Sequence, residues 1–124
     1  LEADIALARA NGYAVLAFMH EPISTGNASD TNITAIRKDD GSASGNYYSG
    51  QVGGPNADAA TKAICDIIAA NGDIIKGVFN GHQHADYYSE ILAKTASGAD
   101  TIIPQYTLSG CIYGNGNALK ITVK

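Results

Sequence analysis

Residues 74–84 read IIKGVFNGHQH, and the rest of the chain is best understood outward from them. Ile74 to Phe79 is a run of strand length, and it leads directly into Asn80-Gly81-His82-Gln83-His84. Upstream, Ala60, Ala63, Ile64, Ile67 and Ile68 recur at helical spacing and predict an apolar stripe. Asn56 or Asp58 can cap that helix, and Asn71-Gly72 stops it. Further upstream, Tyr13 to Met19 (YAVLAFM) is a continuous apolar run, the pattern of a strand covered on both faces. It halts at His20-Glu21-Pro22, where the proline opposes continuation. Leu1 to Ala10 reads as the end of a helix with Leu1, Ile5 and Ala8 on one face, closed by Asn11-Gly12. The pattern is helix–strand–loop–helix–strand, with a histidine after each strand. Ligands of α/β sheets bind outside the carboxyl ends of the strands, where these histidines fall.

The segments between and beyond carry weaker signals. Ile23 to Ala57 is polar, without periodicity, and is expected to be a long loop. Tyr47 and Tyr48 within it are read as surface anchors. After His84, the stretches Tyr88 to Lys94, Thr101 to Ile103, Tyr106 to Ile112 and Ala118 to Val123 are short strand candidates. Ser97-Gly98 and Gly114 to Asn117 supply turns, which suggests an antiparallel meander closing an α/β sheet.

The 124 residues suit one domain, and 45% hydrophobic with 16% charged residues supports a buried core. A net charge of −4 argues against a partner gripped through a nucleic-acid backbone. It is compatible with a small phosphate ester held by metal ions, which bring positive charge of their own. No apolar run approaches the roughly 18 residues of a membrane-spanning helix. Cys65 and Cys111 lack C-x-x-C spacing and are expected to be small core residues. Abundant Asn, Gly, Ser, Thr and Tyr with few Lys and Arg leans toward an extracellular or envelope protein. The chain opens at Leu1 without methionine, apparently within a helix, so a cut boundary of a larger protein is expected.

The chemistry lies in three histidines, His20, His82 and His84. Neutral imidazole is the commonest protein ligand for transition metals, and one strand end can present two rings to one site. Gly81 is expected to allow the tight turn that aims them. Two strand ends of one sheet can bring His20 near His82 despite their separation in sequence. Asn80 and Gln83, beside these ligands, are candidates for hydrogen bonds to substrate or to second-shell groups. Asp86 is a candidate acceptor for a ligand's ring N–H. Glu21 is read as solvated, and Tyr87 and Tyr88 as strand packing.

An apolar strand ending in His20-Glu21-Pro22, followed by helix, strand and Gly81-His82-Gln83-His84, resembles the last two sequence blocks of the calcineurin-like metallophosphoesterases. The closing segment Ala118 to Val123 is similar as well. The resemblance spans residues 1–124 in order and implies the C-terminal portion of that domain, half of a four-layer α/β/β/α sandwich. It implies that His20 and His82 ligate one ion and His84 a second, the ions being manganese, iron or zinc. A bridging hydroxide would then attack phosphorus in line, with the two ions neutralising phosphoryl charge.

The family's D-x-H, G-D and G-N-H blocks do not stand ahead of His20. No bridging aspartate is therefore assigned, and no catalytic residue, since the usual leaving-group acid belongs to the third block. The three imidazoles alone are expected to hold one ion or none, and the chain alone to be inactive. Half of a sandwich is expected to leave apolar strand faces uncovered and to pair with itself or with the missing half. Two rival readings make different demands. In a metallo-β-lactamase-like hydrolase, His82-Gln83-His84-Ala85-Asp86 would open H-x-H-x-D-H, but Tyr87 replaces its last histidine and His20 becomes a bystander. In a non-catalytic secreted α/β binding module, all three histidines would be incidental.

Overall fold

A computed structural model describes residues 1–20, 22–23, 33–38, 59–81, 87–108 and 118–122. The chain is α/β. Its elements in order are α1 (Glu2–Ala10), β1 (Val15–Phe18), β2 (Ile33–Lys38), α2 (Ala59–Ala69), β3 (Ile75–Asn80), β4 (Tyr87–Lys94) and β5 (Asp100–Thr107). The five strands form one sheet in the order β1-β3-β5-β4-β2. β1, β3 and β5 run parallel, whereas β4 is antiparallel to β5 and β2 antiparallel to β4.

Both expected helix stops hold, Asn11-Gly12 for α1 and Asn71-Gly72 for α2. Gly12 takes φ +70°, and the Tyr13 and Gly12 N–H groups donate back to the carbonyls of Ala8 (2.8 Å) and Arg9 (3.2 Å). This pair of bonds satisfies carbonyls that a helix end would otherwise orphan, and a left-handed residue is what makes it reachable. Asn71 closes α2 with the same side-chain bond that Asn11 makes in α1: Asn71 Nδ2 donates to the Ile67 carbonyl at 2.7 Å and Asn11 Nδ2 to the Leu7 carbonyl at 2.8 Å. Gly72 contributes by size: a Cβ there would lie 2.4 Å from Thr101 Cγ2 and 2.8 Å from Ala93 Cβ. The turn thus packs directly onto β4 and β5. Arg9 anchors the same corner, pairing through both guanidinium nitrogens with Asp73 and donating to Asn71 Oδ1 at 3.0 Å.

Both helices cover one face of the sheet. Ile5 and Ala8 of α1 and Cys65 and Ile68 of α2 cluster with Val78, Ile91, Ala93 and Ile103. These four strand residues occupy alternate positions, as one face requires. Cys65 is therefore a core residue as expected, while Cys111 lies outside the described residues. The stripe of α2 is rotated from the expected one: Cys65 and Ile68 are buried and Ile67 half-buried, but Ala60, Ala63 and Ile64 are exposed. Cys65 takes the place given to Ile64, because a small thiol fits closely against β-branched strand side chains.

The other face carries a row of rings. Phe18, Phe79, Tyr106 and Tyr88 sit on one register line across β1, β3, β5 and β4. Their centroids are 5.1, 5.5 and 5.3 Å apart in that order. Tyr88 thus packs within the sheet, as expected of it. Phe18 is 67% and Ile102 46% exposed on this face, which neither helix covers.

Four expectations are corrected. The Ile23–Ala57 stretch contains strand β2, whose partner is β4. Its ITAIRK sequence lacks strong alternation, and pairing to a preformed neighbour supplies what the local pattern does not. Thr101 to Ile103 and Tyr106 belong to one strand, β5, which passes through Pro104. The ladder to β3 begins only at Gln105, so the proline occupies a stretch paired with β4 alone, where a missing N–H is tolerated. The closing strands are no simple meander, because β5 inserts between β3 and β4. Finally, residues 118–122 lie in no strand, and Leu119 and Ile121 are exposed. The Ser97-Gly98 turn is confirmed, with Gly98 at φ +85° and Thr95 N–H bonded to the Ala99 carbonyl at 2.9 Å. Asn56, Asp58, Tyr47, Tyr48 and Gly114 to Asn117 lie outside the described residues.

Candidate metal centre

Parallel pairing of β1 with β3 carries their carboxyl ends to the same edge of the sheet. The ladder continues past the strands. Met19 N–H donates to the Phe79 carbonyl at 3.0 Å, and Gly81 N–H to the His20 carbonyl at 3.0 Å. On the far side, Leu108 N–H donates to the Asn80 carbonyl at 2.9 Å. Three chain exits therefore run side by side, those of β1, β3 and β5. His20 is exposed at the first, and the residue preceding His82 is bonded to it.

His82, Gln83, His84, Asp86 and Glu21 lie outside the described residues. Among the described residues, no group of three His, Cys, Asp or Glu side chains gathers around one point. The turn expected after Gly81 falls on residues outside those described. The φ of Gly81 is not left-handed, and an added Cβ would meet the Leu108 carbonyl at an ordinary 3.7 Å. Gly81 is joined to the exit of β1 by its backbone hydrogen bond to His20.

Asn80 is described, and it is no solvated loop residue. It ends β3 and is 6% exposed. Its Nδ2 donates to Gln105 Oε1 at 3.1 Å, while its Oδ1 is buried with no hydrogen-bond partner among the described residues. Gln105 is fully buried and also grips Ile23, which is 1% exposed just beyond Pro22. Sequence reasoning missed Gln105. The available signal was a glutamine within an otherwise apolar strand face, two residues after Ile103. A polar side chain at such a position must find partners inside the protein.

The opposite end of the sheet holds a second polar cluster. Gly72-Asp73 precedes β3, and its carboxylate is held by Arg9, which lowers the Asp73 pKa to about 2. That carboxylate is committed to Arg9 at the start of the strand that carries Gly81 at its end. It is structurally separate from the histidine edge. Among the described residues that edge places one imidazole, that of His20, and one buried amide oxygen at the end of β3, fewer ligands than define a metal site.

No helix among the described residues is long and apolar enough to cross a membrane. No protein-family model, no curated protein and no solved structure matches the chain.

Proposed function

We propose that residues 1–124 are the histidine-bearing portion of a calcineurin-like metallophosphoesterase domain, a hydrolase of phosphate esters. The observation that carries this reading is the 3.0 Å hydrogen bond from Gly81 N–H to the His20 carbonyl. It joins the roots of the two histidine segments, as a shared cation site requires. Parallel strands opening at one edge and the order of His20-Glu21-Pro22 and Gly81-His82-Gln83-His84 support the same reading.

In this reading His20 and His82 hold one ion and His84 a second, with manganese, iron or zinc as the candidates. Bound metal would supply an acidified water and positive charge for the phosphoryl oxygens. The chain's own part is to present neutral imidazoles from a rigid edge and to keep their spacing through the ladder. The aspartate that bridges the ions and the acid for the leaving group would come from motifs outside these residues. The aromatic face of the sheet, which neither described helix covers, is the surface on which a second sheet, or a second copy, would complete the four-layer sandwich.

Metal content of the full chain after Mn²⁺, Fe²⁺ or Zn²⁺ loading tests this, alongside His20→Ala, His82→Ala and His84→Ala. Each substitution is expected to lower bound metal. The unaltered chain is expected to hydrolyse a generic phosphate ester slowly or not at all. Loss of metal in the His82 and His84 variants but not in His20→Ala would replace this reading with the metallo-β-lactamase-like one. Metal content indifferent to all three would favour a non-catalytic binding module.

A further inference from the structure

β1 lies at one edge of the sheet, and among the described residues no strand pairs with its outer side. Its inner side is occupied. Val15 N–H donates to the Ile74 carbonyl at 2.9 Å and Met19 N–H to the Phe79 carbonyl at 3.0 Å, so these residues turn their backbone toward β3. Backbone groups alternate in direction along a strand, which turns the N–H and C=O of Leu16 and Phe18 outward. The pairing shift between Val15 and Leu16 lies ahead of them, and Leu16, Ala17 and Phe18 follow Gly77, Val78 and Phe79 in unbroken register. Each outward residue therefore offers one donor and one acceptor along a regular edge. Val15, Ala17 and Met19 pack toward the core that the helices cover, so alternation puts the Leu16 and Phe18 side chains on the aromatic face.

Sheet edges are ordinarily shielded by charge or proline. Residues 13–19, YAVLAFM, hold neither, whereas β2 at the opposite edge carries Arg37 and Lys38. Apolar exposure gathers in the same stretch of chain. Leu7 on α1, Tyr13 before β1 and Phe18 at its end are the most exposed large apolar side chains among the described residues. Phe18 is also the last ring of the aromatic row, stacked on Phe79 at its inner side.

We propose that β1 is a dimerisation edge whose occupant is β1 of a second copy, antiparallel about a two-fold axis through Ala17. This register sets Leu16 of each copy opposite Phe18 of the other. Their outward N–H and C=O groups then bond reciprocally, and each Phe18 ring gains a leucine beside it. A second copy fits this edge because residues 13–19 reversed upon themselves oppose no charge to a like charge. The contact is isologous, so it closes at two copies. It uses the rim of the sheet rather than its aromatic face, and it does not rest on the phosphoesterase reading.

The test follows the full chain by sedimentation velocity from micromolar to millimolar concentration, with hydrogen exchange at single amides read by NMR. A monomer–dimer equilibrium is expected. Exchange at the Leu16 and Phe18 N–H groups should slow as the dimer fills, while Val15 and Met19, already bonded to β3, stay slow throughout. Phe18→Lys and Leu16→Glu should each raise the dimer dissociation constant by roughly tenfold or more, because each buries a charge without a partner. Their equimolar mixture should regain the dimer, since the register sets the new carboxylate of one chain against the new ammonium of the other. Ile102→Lys, two strands away on the aromatic face, should leave dimerisation unchanged.

A monomer across the whole range overturns the proposal. So does assembly that grows past two copies, or a mixture of the two variants that stays monomeric. Equal loss in Ile102→Lys and Phe18→Lys also overturns it and assigns the contact to the aromatic face. If Leu16→Glu does not fold, Phe18→Lys decides by itself, and a dimer undiminished in that variant ends the proposal.

Discussion

Ile102 and Ile103 are neighbours on β5 with opposite fates, and replacing each by alanine measures which face of the sheet holds the core. Ile103 is 0% exposed and opposes Ile91 across the ladder, in the cluster that both helices enter. Ile→Ala removes about three carbons, worth ~2.4 kcal/mol at ~0.8 kcal/mol each. The cavity left behind adds to this, so the loss falls at about 2–5 kcal/mol. Unfolding entropy of ~2.1 cal/mol/K per residue over 124 residues gives ~0.26 kcal/mol/K, or about 4 °C for each kcal/mol. Ile103→Ala should therefore lower Tm by roughly 8–20 °C. Ile102 is 46% exposed, so only about half of its transfer energy is at stake and no closed cavity forms. Ile102→Ala should lower Tm by about 4–5 °C. Melting curves followed by far-ultraviolet circular dichroism would read both. Equal shifts, or a larger one for Ile102, would refute the assignment of the helices to the Ile103 face.

Other outcomes follow from single features. Gly72→Ala should destabilise by about 1–3 kcal/mol, because its Cβ would run into Thr101 and Ala93; a thermal melt equal to that of the unaltered chain would contradict the close approach. The Cys65 thiol is 2% exposed, and burial followed by the charge of Asp66 raises its pKa. It should react with a thiol reagent only slowly until denaturant opens the core, and prompt labelling would be inconsistent with its position. The Asp73 carboxyl is held at about 2, chiefly by the Arg9 hydrogen bond, against an ordinary 3.8. The unfolded chain then binds more protons, so this contribution is complete above the ordinary value and is lost as pH falls toward 2. Asp73→Asn should flatten that part of the stability profile, and an unchanged acid limb would count against the pair.

Much of the frame was legible because local chemistry and tertiary demand agree in it. Asn11-Gly12 stops α1 by a backbone rule that needs no distant partner, and the apolar run at 74–79 is buried, Lys76 apart, for the reason that makes it apolar. The run at 13–19 is not the strand covered on both faces that its apolarity suggests: β1 lies at the sheet edge, with Tyr13 65% and Phe18 67% exposed. The failures came where a distant partner decides. β2 exists through its pairing with β4, and nothing in residues 33–38 announces that neighbour. The strands expected at 101–103 and from 106 onward are one strand, because Pro104 lies where β5 is paired on one side only. For the site, histidines after strands were readable, and the bond between the His20 and Gly81 backbones agrees with their expected proximity. Gln105 was not readable, because its role arises from three segments meeting across 82 positions of sequence.

The line of rings from Phe18 through Phe79 and Tyr106 to Tyr88 also constrains assembly of the sheet. Side chains alternate between faces with every residue, so a slip by one position would swing a ring into the layer beneath the helices. There it would collide with space sized for Val78, Ile91 and Ile103. Misaligned pairings are thus penalised on both surfaces at once. The aromatic line acts as a vernier that lets parallel and antiparallel neighbours settle into a single alignment.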